Sequence, residues 1–240
     1  MEKTKKIKLF IGLSYLVLVI IFLSLFFSKF SLQEITSYEF IKENRLYFLK
    51  FKNSNLILVS LIFLFLTILW VFPFLGFGTP IALLGGFILG KWVGTITVVL
   101  GLSIGATLLY IFGNYFLKDI IREKFLNRFK NLENKFKNSE FIYLLIYRFI
   151  GGVPWQFSCL LPTLFNVKIS NFFFATFTGI IPQVFLVASI GDGLEKIIEE
   201  NAKVPKFTDI IFSSDIYIPI LAFFCLVLMT IFLRKLFYKN

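Results

Sequence analysis

Residues 74–80 read FLGFGTP and residues 149–154 read FIGGVP, and these two stretches decide the fold. Each interrupts a long apolar run, which covers the uncharged residues 53–90 in the first case and, in the second, residues 141–167, whose one charged residue is Arg148. Because proline removes a backbone donor and glycine costs helix stability, neither run is expected to form one continuous helix. Roughly 20 apolar residues span a bilayer. We therefore predict a spanning helix over residues 56–72 and a re-entrant hairpin over residues 74–90, with a second hairpin after residue 149.

The two breaks are followed by the same order of features. An apolar segment runs from Pro80 to Lys91 and a second one from Pro154 to Lys168, and a spanning segment follows each. Two halves of this kind are the sequence pattern of an inverted-repeat transporter. We predict an all-α, polytopic integral membrane protein, built as an inverted repeat of a re-entrant hairpin plus a transmembrane helix; two unrelated kinked helices are the alternative. The hairpins are expected to need their glycines and prolines for structure, namely Gly78, Pro80, Gly85, Gly86, Gly90, Gly151, Gly152, Pro154 and Pro162.

The composition agrees with this fold and excludes several chemistries. Of the 240 residues 58% are hydrophobic and 16% are charged, whereas a soluble domain has about 45–50% apolar and about 25% charged residues. The absence of histidine excludes histidine-dependent catalysis and histidine metal ligands. The two cysteines, Cys159 and Cys225, lie far apart in apolar segments and indicate neither a C-x-x-C site nor a disulfide framework. The chain has no phosphate-binding loop of the ATPase type. We expect no enzyme activity, no cofactor and no metal.

The chain divides into three parts. Four lysines among residues 3–8 precede a 20-residue uncharged run, and because no A-x-A cleavage pattern follows, we predict an anchor rather than a signal peptide. Residues 1–55 are thus a transmembrane anchor and an interfacial connector, and residues 56–195 are the central membrane domain. Residues 196–240 form a linker and a C-terminal transmembrane helix. Within the central domain, residues 169–191 predict a span kinked at Gly179 and Pro182, and a turn at Asp192 begins a charged linker.

The net charge of +11 indicates a membrane surface rather than nucleic acid, because the basic residues lie mostly between the apolar runs, where they meet anionic headgroups. Membrane lipids are the expected partners, and self-association stays open. The basic N-terminus is predicted to be cytoplasmic, although counting positive charges gives no consistent topology for the remaining segments. Abundant Phe, Ile, Lys and Asn indicate an AT-rich genome, so we expect a multi-pass protein of a bacterial plasma membrane.

Arg148 is the strongest candidate for a substrate-binding residue. It has seven uncharged residues before it and nineteen after it, and it immediately precedes the second break. An arginine within a membrane is costly and is expected to have a partner or a function, and its planar donor fork suits a phosphate group. The alternative is a side chain that extends to the membrane interface, because Glu140 lies only eight residues away.

Other candidate substrate-binding residues have ordinary explanations beside the functional one. Lys91 and Lys168 each end an apolar segment, where a membrane-edge anchor is the alternative to headgroup contact. Trp155 and Gln156 follow the second break and could line a cavity, with an aromatic plug as the alternative. Asp192 is expected in a loop or at a helix end, and an ion pair with Arg148 or Lys91 stays open.

The central domain resembles the DedA superfamily, whose eukaryotic relatives carry the VTT or SNARE-associated Golgi protein domain. The resemblance rests on PIALLGGFILGKWVGTITVVLGLSIGATLLYIFGNYF at residues 80–116 and on YRFIGGVPWQFSCLLPTLFNVKISNFFFATFTGIIPQVF at residues 147–185. It is most specific at the arginine, glycines and proline of residues 148–154, and it looks closest to the Tvp-type branch. It implies two re-entrant loops that face each other in the bilayer and, in several members, translocation of phospholipids or polyprenyl phosphates.

The chain departs from the family in two places. Some bacterial members are associated with proton-motive-force-dependent transport and resemble one another in acidic residues of the first half, but residues 53–117 contain no Asp or Glu. Many relatives have a basic residue where this chain has Asn114, with Lys118 one turn later. The expected function is lipid translocation of the scramblase or flippase type. The alternatives are an ion-coupled small-solute transporter and a non-transporting membrane scaffold.

Overall fold

The computed structural model describes residues 55–73, 76–119, 139–150 and 154–200, together with Glu123 and single residues within 10–24 and 212–225. The central helices are α1 (Leu56–Val71), α2 (Gly78–Leu89), α3 (Lys91–Phe116), α4 (Glu140–Ile150), α5 (Trp155–Leu160) and α6 (Ile169–Glu200), with one 3₁₀ turn at Leu161–Leu164. The described part of the chain contains no strand, so the prediction of an all-α fold is confirmed. The predicted anchor, connector and C-terminal transmembrane helix lie almost wholly outside the described residues.

The same order of elements occurs twice. In the first half α1 is followed by a break, the short helix α2 and the long helix α3, and in the second half α4 is followed by a break, the short helix α5 and the long helix α6. The first break agrees with the prediction from Pro73, Gly76 and Gly78, because α1 ends at Val71 and α2 begins at Gly78. The inverted relation of the halves and their re-entry into the membrane stay predictions.

Two described helices are long and apolar enough to cross a membrane. They are Lys91–Phe116 and Ile169–Lys196, with 26 and 28 residues. The 12 residues of α2 extend only about 18 Å at 1.5 Å per residue, which is less than the roughly 30 Å of a bilayer's hydrocarbon core. The helix α2 is therefore too short to cross by itself.

The long helices organise the packing, and each supports the short helix of the other half. The helix α6 packs on α2, α3 and α4, while α3 contacts α1, α2 and α5. One apolar core gathers residues of α2, α3 and α6, including Leu89, Val98 and Ile180, and a second gathers residues of α3, α4 and α6, including Leu144 and Phe172. The helix α6 thus contacts α2, which follows the first break, and α4, which precedes the second.

Glycines allow α2 to lie unusually close to both long helices. A Cβ atom at Gly86 would overlap the carbonyl oxygen of Ala188 on α6, and one at Gly191 would overlap the carbonyl oxygen of Leu83 on α2. Gly90 has a φ of 81° between α2 and α3, a backbone conformation that glycine adopts at little steric cost. The small residues thus determine how closely α2 can pack.

The prediction of a turn and linker from Asp192 onwards is wrong, because α6 continues through this residue to Glu200. Asp192 Oδ2 forms an ion pair with Lys196 Nζ at 3.5 Å, one helical turn later. A pair of opposite charges at this spacing favours the helix. Gly191 is needed for contact with α2 rather than for a turn. A glycine-rich pattern that locally resembles a turn is here part of a helix interface.

Candidate functional site

A cavity of about 240 Å³ lies between the helix ends that border the two breaks. The beginning of α2, the end of α4, the beginning of α5 and the middle of α6 supply most of its walls. The lining includes Gly78, Tyr147, Arg148, Trp155, Ser158 and Gln183. Phe77 also lines the cavity and is 57% exposed, so the cavity reaches the protein surface at the start of α2.

Arg148 is the charged residue of the cavity wall and is only 4% exposed. Its Nε donates to Thr176 Oγ1 at 3.2 Å, its Nη1 to Ser158 Oγ at 2.5 Å, and its Nη2 to Cys159 Sγ at 3.6 Å. These partners are uncharged, and within the described ranges no carboxylate pairs with the guanidinium. The side chain points into the protein instead of extending to its surface.

Aromatic rings surround the same guanidinium. Its Cζ atom lies 4.9 Å from the ring centre of Trp155, 5.2 Å from that of Phe172 and 6.0 Å from that of Tyr147. A cation over an aromatic face is stabilised by the ring's charge distribution, most strongly by tryptophan. The rings hold the positive charge beside the cavity without neutralising it.

Gln183 satisfies the backbone at the second break. Its Nε2 donates to the carbonyl oxygens of Arg148 at 3.1 Å and Phe149 at 2.7 Å. The last carbonyls of a helix have no partner within the helix, and here an amide from α6 supplies one. Sequence reasoning missed Gln183, although an amide directly after Pro182, in the otherwise apolar residues 180–187, was a usable signal.

Gly179 allows α4 to approach α6 closely enough for these bonds. A Cβ atom at this position would lie 2.7 Å from Arg148 Cβ and 3.2 Å from the carbonyl oxygen of Leu145. A larger residue would push the end of α4 away from α6. The predicted kink residue therefore has a second role in positioning the arginine.

Two polar atoms in the cavity wall are buried without a hydrogen-bond partner in the described part of the chain. They are the hydroxyl oxygen of Tyr147 and the indole Nε1 of Trp155. The hydroxyl of Ser158, by contrast, accepts from Arg148 and donates to the carbonyl oxygen of Trp155 at 2.8 Å. The wall thus combines satisfied groups with two unsatisfied ones.

The structure brings together only some of the predicted site residues. Arg148 and Trp155 line the cavity, while the half-buried Gln156 is outside its lining. Lys91 begins α3 at the other end of α2 from the cavity, and the exposed Lys168 precedes α6.

The predicted hairpin residues are dispersed along the two breaks. Gly78 lines the cavity and Pro80 is in the first turn of α2, while Gly85 and Gly86 are buried further along that helix. Gly151 and Gly152 lie outside the described residues. Pro154 precedes α5, and Pro162 belongs to the 3₁₀ turn.

A separate polar cluster lies where α6 begins. Glu140 Oε2 accepts from the backbone N–H of Lys168 at 3.2 Å and from Asn171 Nδ2 at 2.8 Å. A carboxylate at a helix N-terminus is favourable because of the helix dipole. Nearby in sequence to Lys168, Asn166 accepts from Lys118 Nζ at 2.6 Å. Lys118 therefore binds Asn166 and does not line the cavity.

The fold and the site define an all-α membrane protein with a buried arginine beside an internal cavity. The profile of the VTT domain matches residues 72–193, which is half of the chain. The chain therefore belongs to the VTT domain family, the DedA or SNARE-associated family, as the sequence resemblance predicted. Its closer likeness to the Tvp-type branch stays a prediction. No solved structure matches the chain.

Proposed function

We propose that this protein translocates membrane lipids, passing a phospholipid or polyprenyl phosphate headgroup between the two broken segments. The observation that carries the proposal is the position of Arg148, which is buried in the wall of a cavity lined by the helix ends that border both breaks. Its partners in the described residues are neutral. A buried charge without a counter-charge is costly in an apolar environment, and an anionic headgroup would offset this cost.

The guanidinium has donor capacity for such a headgroup. Arginine carries five N–H groups and no acceptor, and three of them point to Thr176, Ser158 and Cys159. The remaining two have no partner within the described segments. A fork of this kind is suited to the oxygens of a phosphate group.

The beginning of α2 adds a second favourable element. Gly78 and Thr79 line the cavity and form the first turn of this helix, and no side chain caps its N-terminus. The first backbone N–H groups of a helix have no partner within the helix, and these groups and the positive end of the helix dipole favour an anion. The start of α2 would therefore favour the same anionic group that Arg148 favours.

The proposed route keeps the polar headgroup within the protein while the acyl chains stay in hydrocarbon. The headgroup would enter beside Phe77, occupy the cavity next to Arg148 and leave on the other side of the breaks. Net direction would come from a lipid gradient or from the membrane potential. Scramblase and flippase mechanisms both fit this scheme.

The test uses the full-length protein in liposomes with headgroup-labelled phosphatidylglycerol. It measures the rate at which labelled lipid crosses between the leaflets, from the change in the fraction of label that an external quencher reaches. Arg148→Met keeps the side-chain length and removes the charge, and it is expected to lower the translocation rate about tenfold, the scale of one charged hydrogen bond. Lys196→Ala, which removes an exposed cation of α6, is the matched control. Wild-type rates equal to those of empty liposomes would refute translocation.

The same preparation separates the two alternative functions. A non-transporting scaffold would move neither lipid nor solute. An ion-coupled small-solute transporter would accumulate solute only under a proton or sodium gradient, and its rate would not depend on the lipid headgroup. Equal lipid rates for the wild type and Arg148→Met would remove Arg148 from the proposed route even if lipid moves.

A further inference from the structure

Two residues that line the cavity with Arg148 each carry a buried, unsatisfied donor in its wall. The Tyr147 hydroxyl and the Trp155 indole N–H are buried and have no hydrogen-bond partner within the described ranges, and both residues line the cavity. Buried polar groups in native proteins are almost always hydrogen-bonded, so an unsatisfied pair in one cavity requires an explanation. A bound ligand that accepts from both groups provides one.

We propose that Tyr147 and Trp155 donate to the oxygens of a phosphate ester, so that the cavity recognises the phosphate itself and not the alcohol attached to it. This inference rests on the proposed function and names the chemical group that the site selects. Tyr147 and Trp155 are specificity-determining residues in this scheme, and Arg148 supplies the charge.

The polarity of the lining favours this ligand class. Arginine and tryptophan side chains are donors only, and a tyrosine hydroxyl can donate. The Gln183 amide nitrogen is occupied by the carbonyls of α4, and the Ser158 hydroxyl already donates to the backbone. The groups left for a ligand are therefore mainly donors, beside one positive charge.

A phosphate ester matches these donors because its ionised oxygens only accept hydrogen bonds. An ammonium group has donors and a positive charge, so it would repel Arg148 and leave Tyr147 and Trp155 unsatisfied. Sugar hydroxyls can accept but carry no charge to offset that of Arg148. Of these headgroup classes, a phosphate ester satisfies both the hydrogen bonds and the charge.

The first experiment measures binding without transport. The purified full-length protein in a maltoside detergent is heated with dihexanoyl phosphatidylglycerol, with inorganic phosphate, or with a short-chain glucosyl diacylglycerol. A ligand that binds the folded state raises the unfolding midpoint. We expect the phosphatidylglycerol to stabilise the protein more than inorganic phosphate does, because only the lipid adds apolar contacts, and we expect no stabilisation by the glucosyl lipid. Tyr147→Phe and Trp155→Phe are each expected to weaken binding of phosphatidylglycerol about tenfold, the usual scale for a hydrogen bond to a charged group.

Matched variants separate ligand recognition from folding. Tyr147→Phe removes a hydroxyl without a partner and is expected to leave the ligand-free midpoint unchanged or raised. Tyr110→Phe removes a hydroxyl that donates to the Val167 carbonyl at 2.6 Å and should lower the midpoint while the ligand response persists. Trp92→Phe, at an exposed position, is the control for Trp155→Phe.

The second experiment measures selectivity in liposomes as the ratio of translocation rates for labelled phosphatidylglycerol and labelled glucosyl diacylglycerol. The ratio is expected to exceed about ten in the wild type and to fall towards one in the variant with both Tyr147→Phe and Trp155→Phe. A double variant with wild-type selectivity and wild-type stabilisation by phosphatidylglycerol overturns the inference. Equal stabilisation by inorganic phosphate overturns the assignment to a lipid.

The two experiments distinguish failure of this inference from failure of the proposed function. If no labelled lipid moves but phosphatidylglycerol still stabilises the wild type and not the double variant, translocation is refuted and the phosphate site stands. If lipid moves at rates that do not depend on Tyr147, Trp155 or the headgroup, translocation stands and the phosphate site is refuted.

Discussion

Replacing Gln183 with methionine tests whether the amide of α6 holds the end of α4 in place. Methionine has a similar length and no hydrogen-bond donor, so the change removes the bonds to the carbonyl oxygens of Arg148 and Phe149 at 3.1 and 2.7 Å. These carbonyls lie in the last turn of α4, and the last carbonyls of a helix have no partner within the helix. In an apolar environment water cannot readily replace the lost donor.

The size of the effect follows from the two bonds. A neutral hydrogen bond contributes about 0.5–1.5 kcal/mol, so losing two is expected to cost about 1–3 kcal/mol. For a chain of this size each kcal/mol shifts the unfolding midpoint by about 2–4 °C, and the midpoint should fall by about 4–8 °C for a central loss of about 2 kcal/mol. The translocation rate should also fall, because the carbonyl of Arg148 itself loses its anchor.

The assay compares thermal unfolding midpoints in detergent and lipid translocation in liposomes. Thr178→Val is the matched control, because the exposed Thr178 hydroxyl on the same helix donates only to the Phe174 carbonyl one turn earlier, at 2.7 Å. A surface change of this kind is expected to stay within about 0.5 kcal/mol. A Gln183→Met protein with the midpoint and translocation rate of Thr178→Val would refute the anchoring role of Gln183.

Two further substitutions test the packing of α6. Gly86→Ala places a Cβ atom on the carbonyl of Ala188 and should lower stability by about 1–3 kcal/mol, the usual cost of overpacking. Leu84→Ala, at an exposed position of the same helix, should cost less. Similar unfolding midpoints for the two variants would contradict the close contact. Asp192→Asn removes an ion pair with Lys196 whose side chains are 17% and 40% exposed, so it should cost no more than about 0.5 kcal/mol. A loss of about 3–5 kcal/mol, the scale for a broken buried pair, would indicate a buried partner for Asp192 instead.

The elements that the sequence predicts well are those set by local signals. Pro73, Gly76 and Gly78 interrupt the first apolar run, and α1 indeed ends before them while α2 begins at Gly78. Arg148 was recognisable because a charge between long uncharged segments carries a high cost unless it is buried with partners. In these cases the physical reason lies within a few residues of the feature.

The elements that the sequence did not reveal depend on contacts between distant segments. The Gly191-Asp192-Gly193 pattern has the local appearance of a turn, but contact with α2 selects small residues there and α6 continues. Gln183 lies more than 30 positions from the carbonyls that it satisfies. Tyr147 is one residue before Arg148, and nothing in its neighbours indicates that the residue lines a cavity and carries a buried hydroxyl without a partner.

The second break is best understood together with the face of α6 that receives it. Thr176 binds the Arg148 side chain, Gly179 makes room for the end of α4, and Gln183 binds its last carbonyls. Spacings of three and four residues place these positions on one face of a helix. A broken helix in a membrane leaves both backbone groups and a charge to be satisfied, and one face of the following long helix meets both needs. The polar and small residues of that helix are therefore as informative about the site as the glycines and proline of the break itself.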